Sequence, residues 1–181
     1  MNPRLLEKYK NEIIPKMQKK FGIKNPMAVP RLEKIVVNMG VGEAINDQKI
    51  MDKALEDLAT ITGQKPMIRK AKVAISNFKL REGISIGCKV TLRRIRMYEF
   101  MDRLLNITLP RIRDFNGVSR KSFDRAGNYT LGLKEQAIFP EIEPGRIQHT
   151  QGMDVTFVFK GGNKEQTFEL LQLLGMPFTI L

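Results

Sequence analysis

The chain reads as an α+β protein, a mostly antiparallel open sheet with helices packed on one face and the other face left open. Three observations carry that reading. Short segments alternate apolar and polar residues with the period of a half-buried strand; in one, Ile86, Cys88, Val90 and Leu92 point to a core while Gly87, Lys89, Thr91 and Arg93 face outward. Segments of helical period with their own start and stop signals lie between them. Positive charge is also concentrated. Residues 64–96 hold ten Lys or Arg against one acid, out of a net charge of +12, whereas residues 134–181 hold 4 against 6. A row of cations and hydroxyls on a rigid sheet suits phosphate and sugar oxygens, and so points to a polyanion partner, nucleic acid first. The length of 181 residues suffices for one domain with a real core, spanning 1–181, with protruding loops expected near 74–83, 110–126 and 139–152.

The elements follow in order. Asn2 before Pro3 is an N-cap with proline at the first helical position, and Leu6, Tyr9, Ile13 and Met17 recur at helical spacing until Gly22. Pro15 inside that run should kink it. Residues 31–40 form a strand with Ile35, Val37 and Met39 on one face and Lys34, Val36 and Asn38 on the other. Asn46 or Asp47 caps a second helix with an apolar stripe of Ile50, Met51, Ala54, Leu55, Leu58 and Ile61, closed by Gly63. A short strand near 67–71, a polar loop over 76–83 and the cationic strand come next. A third helix runs from about 97 to 108 and ends before Pro110. Tyr129, Leu131 and Leu133, then Met153, Val155, Phe157 and Phe159, mark two further strands, separated by an acidic, proline-punctuated loop. Asn163 with Gln166 forms a capping box for the last helix, which Gly175 and Pro177 end.

Catalytic chemistry is missing. The one cysteine, Cys88, falls on an apolar face, so neither a disulfide framework nor a reactive thiol is expected. The one histidine, His149, sits in a polar run with no second ligand at metal spacing, so no metal and no cofactor are expected. Gly40-Val-Gly42 lacks the third glycine of a dinucleotide loop, and Lys160-Gly-Gly-Asn-Lys164 lacks the ending of a phosphate loop. Asp52, Glu56, Asp57, Glu99 and Asp102 spread over helix faces rather than clustering for Mg²⁺. No apolar run approaches a membrane span and the N-terminus lacks a signal-peptide core, so a soluble cytoplasmic protein is expected.

The outward row offers Lys34, Asn38, Lys89, Thr91 and Arg93, while Phe157 and Phe159 point inward. Such a face fits folded RNA read through riboses, phosphates and shape. Phe78, flanked by Lys79 and Arg81, either stacks on a base or packs down as a loop anchor.

Six blocks carry a family resemblance: Arg31-Leu-Glu-Lys-Ile-Val-Val-Asn-Met-Gly-Val-Gly42, Thr62-Gly-Gln-Lys-Pro66, Ile86-Gly-Cys-Lys-Val-Thr-Leu-Arg93, Arg111-Ile-Arg-Asp-Phe115, Phe139-Pro-Glu-Ile142 and Gly152-Met-Asp-Val155. In this order they resemble the bacterial form of large-subunit ribosomal protein number five. The resemblance implies a non-enzymatic protein, monomeric off the ribosome, that binds 5S rRNA and helps seat it on large-subunit rRNA in the central protuberance. It assigns 5S contacts to Asn38, Gln64 and Thr91, to which the charge pattern adds Lys34, Lys89 and Arg93. It further implies that the 74–83 loop, with Ser76, Asn77, Phe78, Lys79 and Arg81, reaches toward P-site tRNA. Arg111, Arg113, Phe139, Pro140 and Glu141 match regions that face a small-subunit head protein across an intersubunit bridge. Two rival readings are a free RNA chaperone or assembly factor using the same face, and an RNA-modifying enzyme holding a nucleotide cofactor at Gly40-Val-Gly42 with Glu43 or Asp47 in catalysis.

Overall fold

The computed structural model describes residues 2–143, 145, 147 and 149–179. Five strands, β1 (Arg31–Gly40), β2 (Met67–Lys70), β3 (Ser85–Leu92), β4 (Tyr129–Leu133) and β5 (Met153–Lys160), form one open antiparallel sheet in the order β2-β3-β1-β5-β4. The helices are α1 (Arg4–Lys8), α2 (Ile14–Phe21), α3 (Gln48–Thr62), α4 (Arg94–Arg103) and α5 (Lys164–Leu174). The α+β class read from alternation is the class observed. By contacts the chain divides into two compact units, one of residues 1–35, 92–131 and 156–181, the other of residues 36–91 and 132–155.

In the first unit the N-terminal helix starts differently from expectation. Pro3 itself takes the cap position, its carbonyl accepting from the N–H groups of Leu6 at 3.0 Å and Glu7 at 3.1 Å, and Asn2 precedes it. At Pro15, where a kink is expected, the helical hydrogen-bond pattern changes: a π-helical turn, Tyr9–Ile13, joins α1 to α2 and leaves the proline in the first turn of α2. Leu5, rather than Leu6, is buried with Tyr9, Ile13 and Met17. The Tyr9 hydroxyl donates to the Pro30 carbonyl at 3.0 Å, and burial pushes its pKa up to about 12. α4 begins three residues before the predicted start and continues through a π-helical turn, Leu104–Thr108, and a 3-10 turn, Leu109–Arg111, which absorbs Pro110. Arg94, its first residue, holds a φ of 53°, in the left-handed region that favours glycine. The capping box of α5 forms as read: Asn163 accepts from Gln166 N–H at 3.0 Å, and the Gln166 side chain accepts from Asn163 N–H at 3.2 Å. Phe123, Tyr129, Phe157, Phe168 and Phe178 build an aromatic cluster with ring centroids as close as 4.7 Å. Through Phe123, and through Val118 N–H bonded to Pro177 O at 2.8 Å, that cluster pins the segment after α4.

In the second unit Asp47 is the cap of α3, accepting from Lys49 N–H at 2.9 Å, and Gly63 in the left-handed region ends it. Met51, Ala54, Leu58 and Ile61 are buried, as are Val37, Met39, Cys88 and Val90 from the sheet. The Cys88 sulfur lies 4.0 Å from the Ala54 carbonyl, and burial pushes the thiol pKa up to about 11, so it is a packing residue. Gln136, almost fully buried, donates to the His149 carbonyl at 2.7 Å and accepts from Gln151 N–H at 2.5 Å. Gln151 in turn donates to the Gly40 carbonyl at 2.6 Å. This clamp fixes the C-terminal root of the loop expected near 139–152, of which Pro144, Arg146 and Gln148 lie outside the described residues.

Candidate nucleic-acid interface

On β3 the alternation sorts side chains as read at Cys88, Val90 and Leu92, which are buried, and at Lys89 and Thr91, which are half-buried and lie on the opposite face. Two positions depart from expectation. Ile86 is half-buried rather than core, and Gly87 is buried rather than outward. The reason at Gly87 is close approach: a Cβ there would stand 2.7 Å from the Met39 backbone oxygen, so the two strands crowd together over a residue with no side chain.

On β1, Asn38 is half-buried and alternates with buried Val37 and Met39, as predicted. Lys34 is half-buried too, but the pattern slips one residue earlier, where Leu32 is buried and Glu33 exposed. Gln64, whose direction alternation does not fix, turns out to bend over the end of β3, where its side-chain amide donates to the Thr91 carbonyl at 3.2 Å. Gln64 and Thr91 are both half-buried, so this bond brings a carboxamide and a hydroxyl-bearing residue together at the end of β3. Arg93 lies just past β3 as the extended cap residue of α4, with its guanidinium 3.4 Å from Glu33. Both side chains are substantially exposed, so the pair holds Arg93 only weakly.

Residues that periodicity misses emerge from the strand register. β2 pairs antiparallel with β3, placing Met67 opposite Lys89, Ile68 opposite Cys88 and Arg69 opposite Gly87. Directly opposed residues point to the same face, so Met67 and Arg69 join Lys89 on the open side. Met67 is 59 % exposed there. No sequence signal fixes the register of a four-residue strand whose every side chain is exposed.

The 74–83 loop has more structure than its sequence period suggests. A 3-10 turn, Ser76–Phe78, is closed by paired hydrogen bonds between Ile75 and Leu80, at 2.9 and 3.1 Å. Ser76, Asn77, Phe78, Lys79 and Arg81 are all exposed; Phe78, at 71 %, does not pack down as an anchor. Arg111 and Arg113 are exposed on the first unit, and Pro140 is exposed and Glu141 half-buried on the second. Phe139 is only 2 % exposed: its N–H bonds back to Gln136 O at 3.1 Å, and the turn so made swings the ring into the core. It cannot offer its ring to a partner.

The residues of the rival enzymatic reading are engaged elsewhere. After Gly40-Val-Gly42 the chain enters a 3-10 turn, Gly42–Ile45; Glu43 faces His149 at 3.5 Å on the surface, and Asp47 is spent on capping α3. Among the described residues no three His, Cys, Asp or Glu side chains gather as metal ligands, and no helix is long and apolar enough to cross a membrane.

The profile of ribosomal protein L5 matches residues 25–81, and that of the ribosomal L5P family C-terminus matches residues 85–178. Among curated proteins the chain is similar to large ribosomal subunit protein uL5 of Clostridium tetani (strain Massachusetts / E88), 58 % identical over 98 % of this chain and 99 % of that protein. The same identity and coverage hold for large ribosomal subunit protein uL5 of Clostridium botulinum (strain Loch Maree / Type A3). Matches to both halves and along nearly the full length leave one conclusion: the chain belongs to the ribosomal protein L5 (uL5) family, structural constituents of the large ribosomal subunit rather than enzymes.

Proposed function

We propose that the open side of β1 and β3 is the surface through which this large-subunit protein binds 5S rRNA and helps attach it in the central protuberance. Asn38, Gln64 and Thr91 supply amide and hydroxyl hydrogen bonds to riboses and phosphates, and Lys89 neutralises phosphate; in the first unit Lys34 and Arg93 add charge of their own. The observation that carries this reading is the Gln64 side chain bonded to Thr91, which brings two uncharged hydrogen-bonding residues together in the most basic stretch of the chain. From the family resemblance we further propose that the 74–83 loop, with Ser76, Asn77, Phe78, Lys79 and Arg81, reaches toward P-site tRNA. Arg111, Arg113, Pro140 and Glu141 then face a small-subunit head protein, without Phe139.

The test is binding of a 5S rRNA transcript to Asn38→Ala and Thr91→Ala. Each should weaken affinity by about 1 to 3 kcal/mol with little change in melting temperature, since neither side chain is in the core. Val90→Ala should do the reverse, losing about 2 kcal/mol of stability through a buried cavity. Unaltered RNA binding by both polar variants would remove the face from the interface.

A further inference from the structure

We propose that Met67 is a platform on which one unstacked nucleobase of the bound RNA packs, so that the RNA meets this face through an extruded or loop nucleotide rather than a continuous duplex. The inference rests on the 5S rRNA reading above and names what that surface recognises. Met67 is an exposed thioether on the face that also carries Lys89 and Arg69. The register sets it directly opposite Lys89, and Arg69, two residues along the same strand, lies opposite Gly87, which carries no side chain to crowd it. An apolar, polarisable spot bracketed by two cations matches one nucleotide: the base takes the flat contact and the flanking phosphates take the charges. Gln64 completes the arrangement. Its amide is tied to the Thr91 carbonyl. Thr91 lies one same-face repeat along β3 from Lys89, about 7 Å, which a base spans. The remaining carboxamide oxygen and N–H can therefore meet the base edge. An uninterrupted A-form helix offers Met67 no base face, because its bases are stacked and side chains meet only base edges and 2′-hydroxyls in its shallow minor groove.

The readout separates an apolar contact from an ionic one. Affinity of the full-length protein for a 5S rRNA transcript is measured across a salt series for wild type, Met67→Ala, Met67→Leu and Lys89→Ala. Met67→Ala should bind about tenfold more weakly with an unchanged slope of log affinity against log salt, and Met67→Leu should bind near wild type, because a base contact releases no counterions. Lys89→Ala should flatten the slope by about 0.7 to 0.9. Met67→Ala binding within twofold of wild type would overturn the platform while leaving the 5S reading intact. Loss of affinity in Met67→Ala with a flattened slope would overturn it too, by showing a rearranged ionic interface. Wild-type protein that fails to bind the transcript would bring down both readings together.

Discussion

Replacing Gly87 with Ala tests whether the close approach of β3 to β1 is a structural requirement. The added methyl would sit 2.7 Å from the Met39 backbone oxygen, where ordinary contact begins near 3.4 Å. The neighbour is main chain, so no flexible tip can move aside. Both strands must shift, against the bond from Val41 N–H to Ile86 O at 2.9 Å. Overpacking of this kind costs about 1 to 3 kcal/mol. Restricting the unfolded chain by a Gly→Ala change returns about 0.4 to 1 kcal/mol. The net loss is about 0 to 2.6 kcal/mol, centred near about 1.3, which at that centre is about 3 to 5 °C of melting temperature for a chain of this size. Gly40→Ala is the control, since nothing lies within 4 Å of a Cβ there. Thermal unfolding followed by circular dichroism gives both values. A Gly87→Ala variant that melts within a degree of Gly40→Ala would refute the argument from close approach.

Two further outcomes are expected. Arg94 holds a φ of 53°, which costs a side-chain-bearing residue about 1 to 2 kcal/mol; Arg94→Gly should therefore raise stability by about 0.5 to 1 kcal/mol after the entropy of glycine is subtracted, measured by chemical denaturation. The buried Cys88 thiol, with its pKa pushed from 9.0 up to about 11, keeps its proton more tightly in the folded than in the unfolded chain. Its contribution to stability is therefore full below about pH 9 and lost as pH rises through about 11. Native protein at pH 8 should resist iodoacetamide until it is unfolded, and alkylation at the rate of a free thiol would contradict the burial.

Much of this architecture is legible in the sequence wherever a local rule is strong. The alternation of Met153, Val155, Phe157 and Phe159, the Asn163 and Gln166 capping box and the glycine stops at 63 and 175 all appear in the structure, because each depends only on residues within a turn or two. What sequence reasoning loses depends on other segments. Gly87 reads as outward by period, yet the neighbouring strand closes over it. Phe139 reads as part of a proline-rich surface loop, yet its turn carries it inward. Pro15 announces a disturbance but not that a π-helical turn will absorb it. Of the proposed RNA face, Asn38, Lys89 and Thr91 follow from alternation, and Gln64 takes its place only through its bond to Thr91. Met67 and Arg69 need the β2 register, which four exposed residues do not encode.

The two rims of the sheet carry a consequence for the protein before it reaches its particle. An open sheet exposes unpaired N–H and C=O groups along its outer strands, which invite other chains to add on. Here β2 is only four residues long, breaks its pairing between Arg69 and Lys70, and presents both cations at that break. At the start of β4, Ser122 and Phe123 fold alongside and Thr130 N–H bonds to Ser122 O at 3.1 Å, so that end of the rim is paired. Newly made chains waiting for RNA are thus guarded against sticking to one another edge to edge, and the charge that repels a second copy is the charge that later welcomes a polyanion.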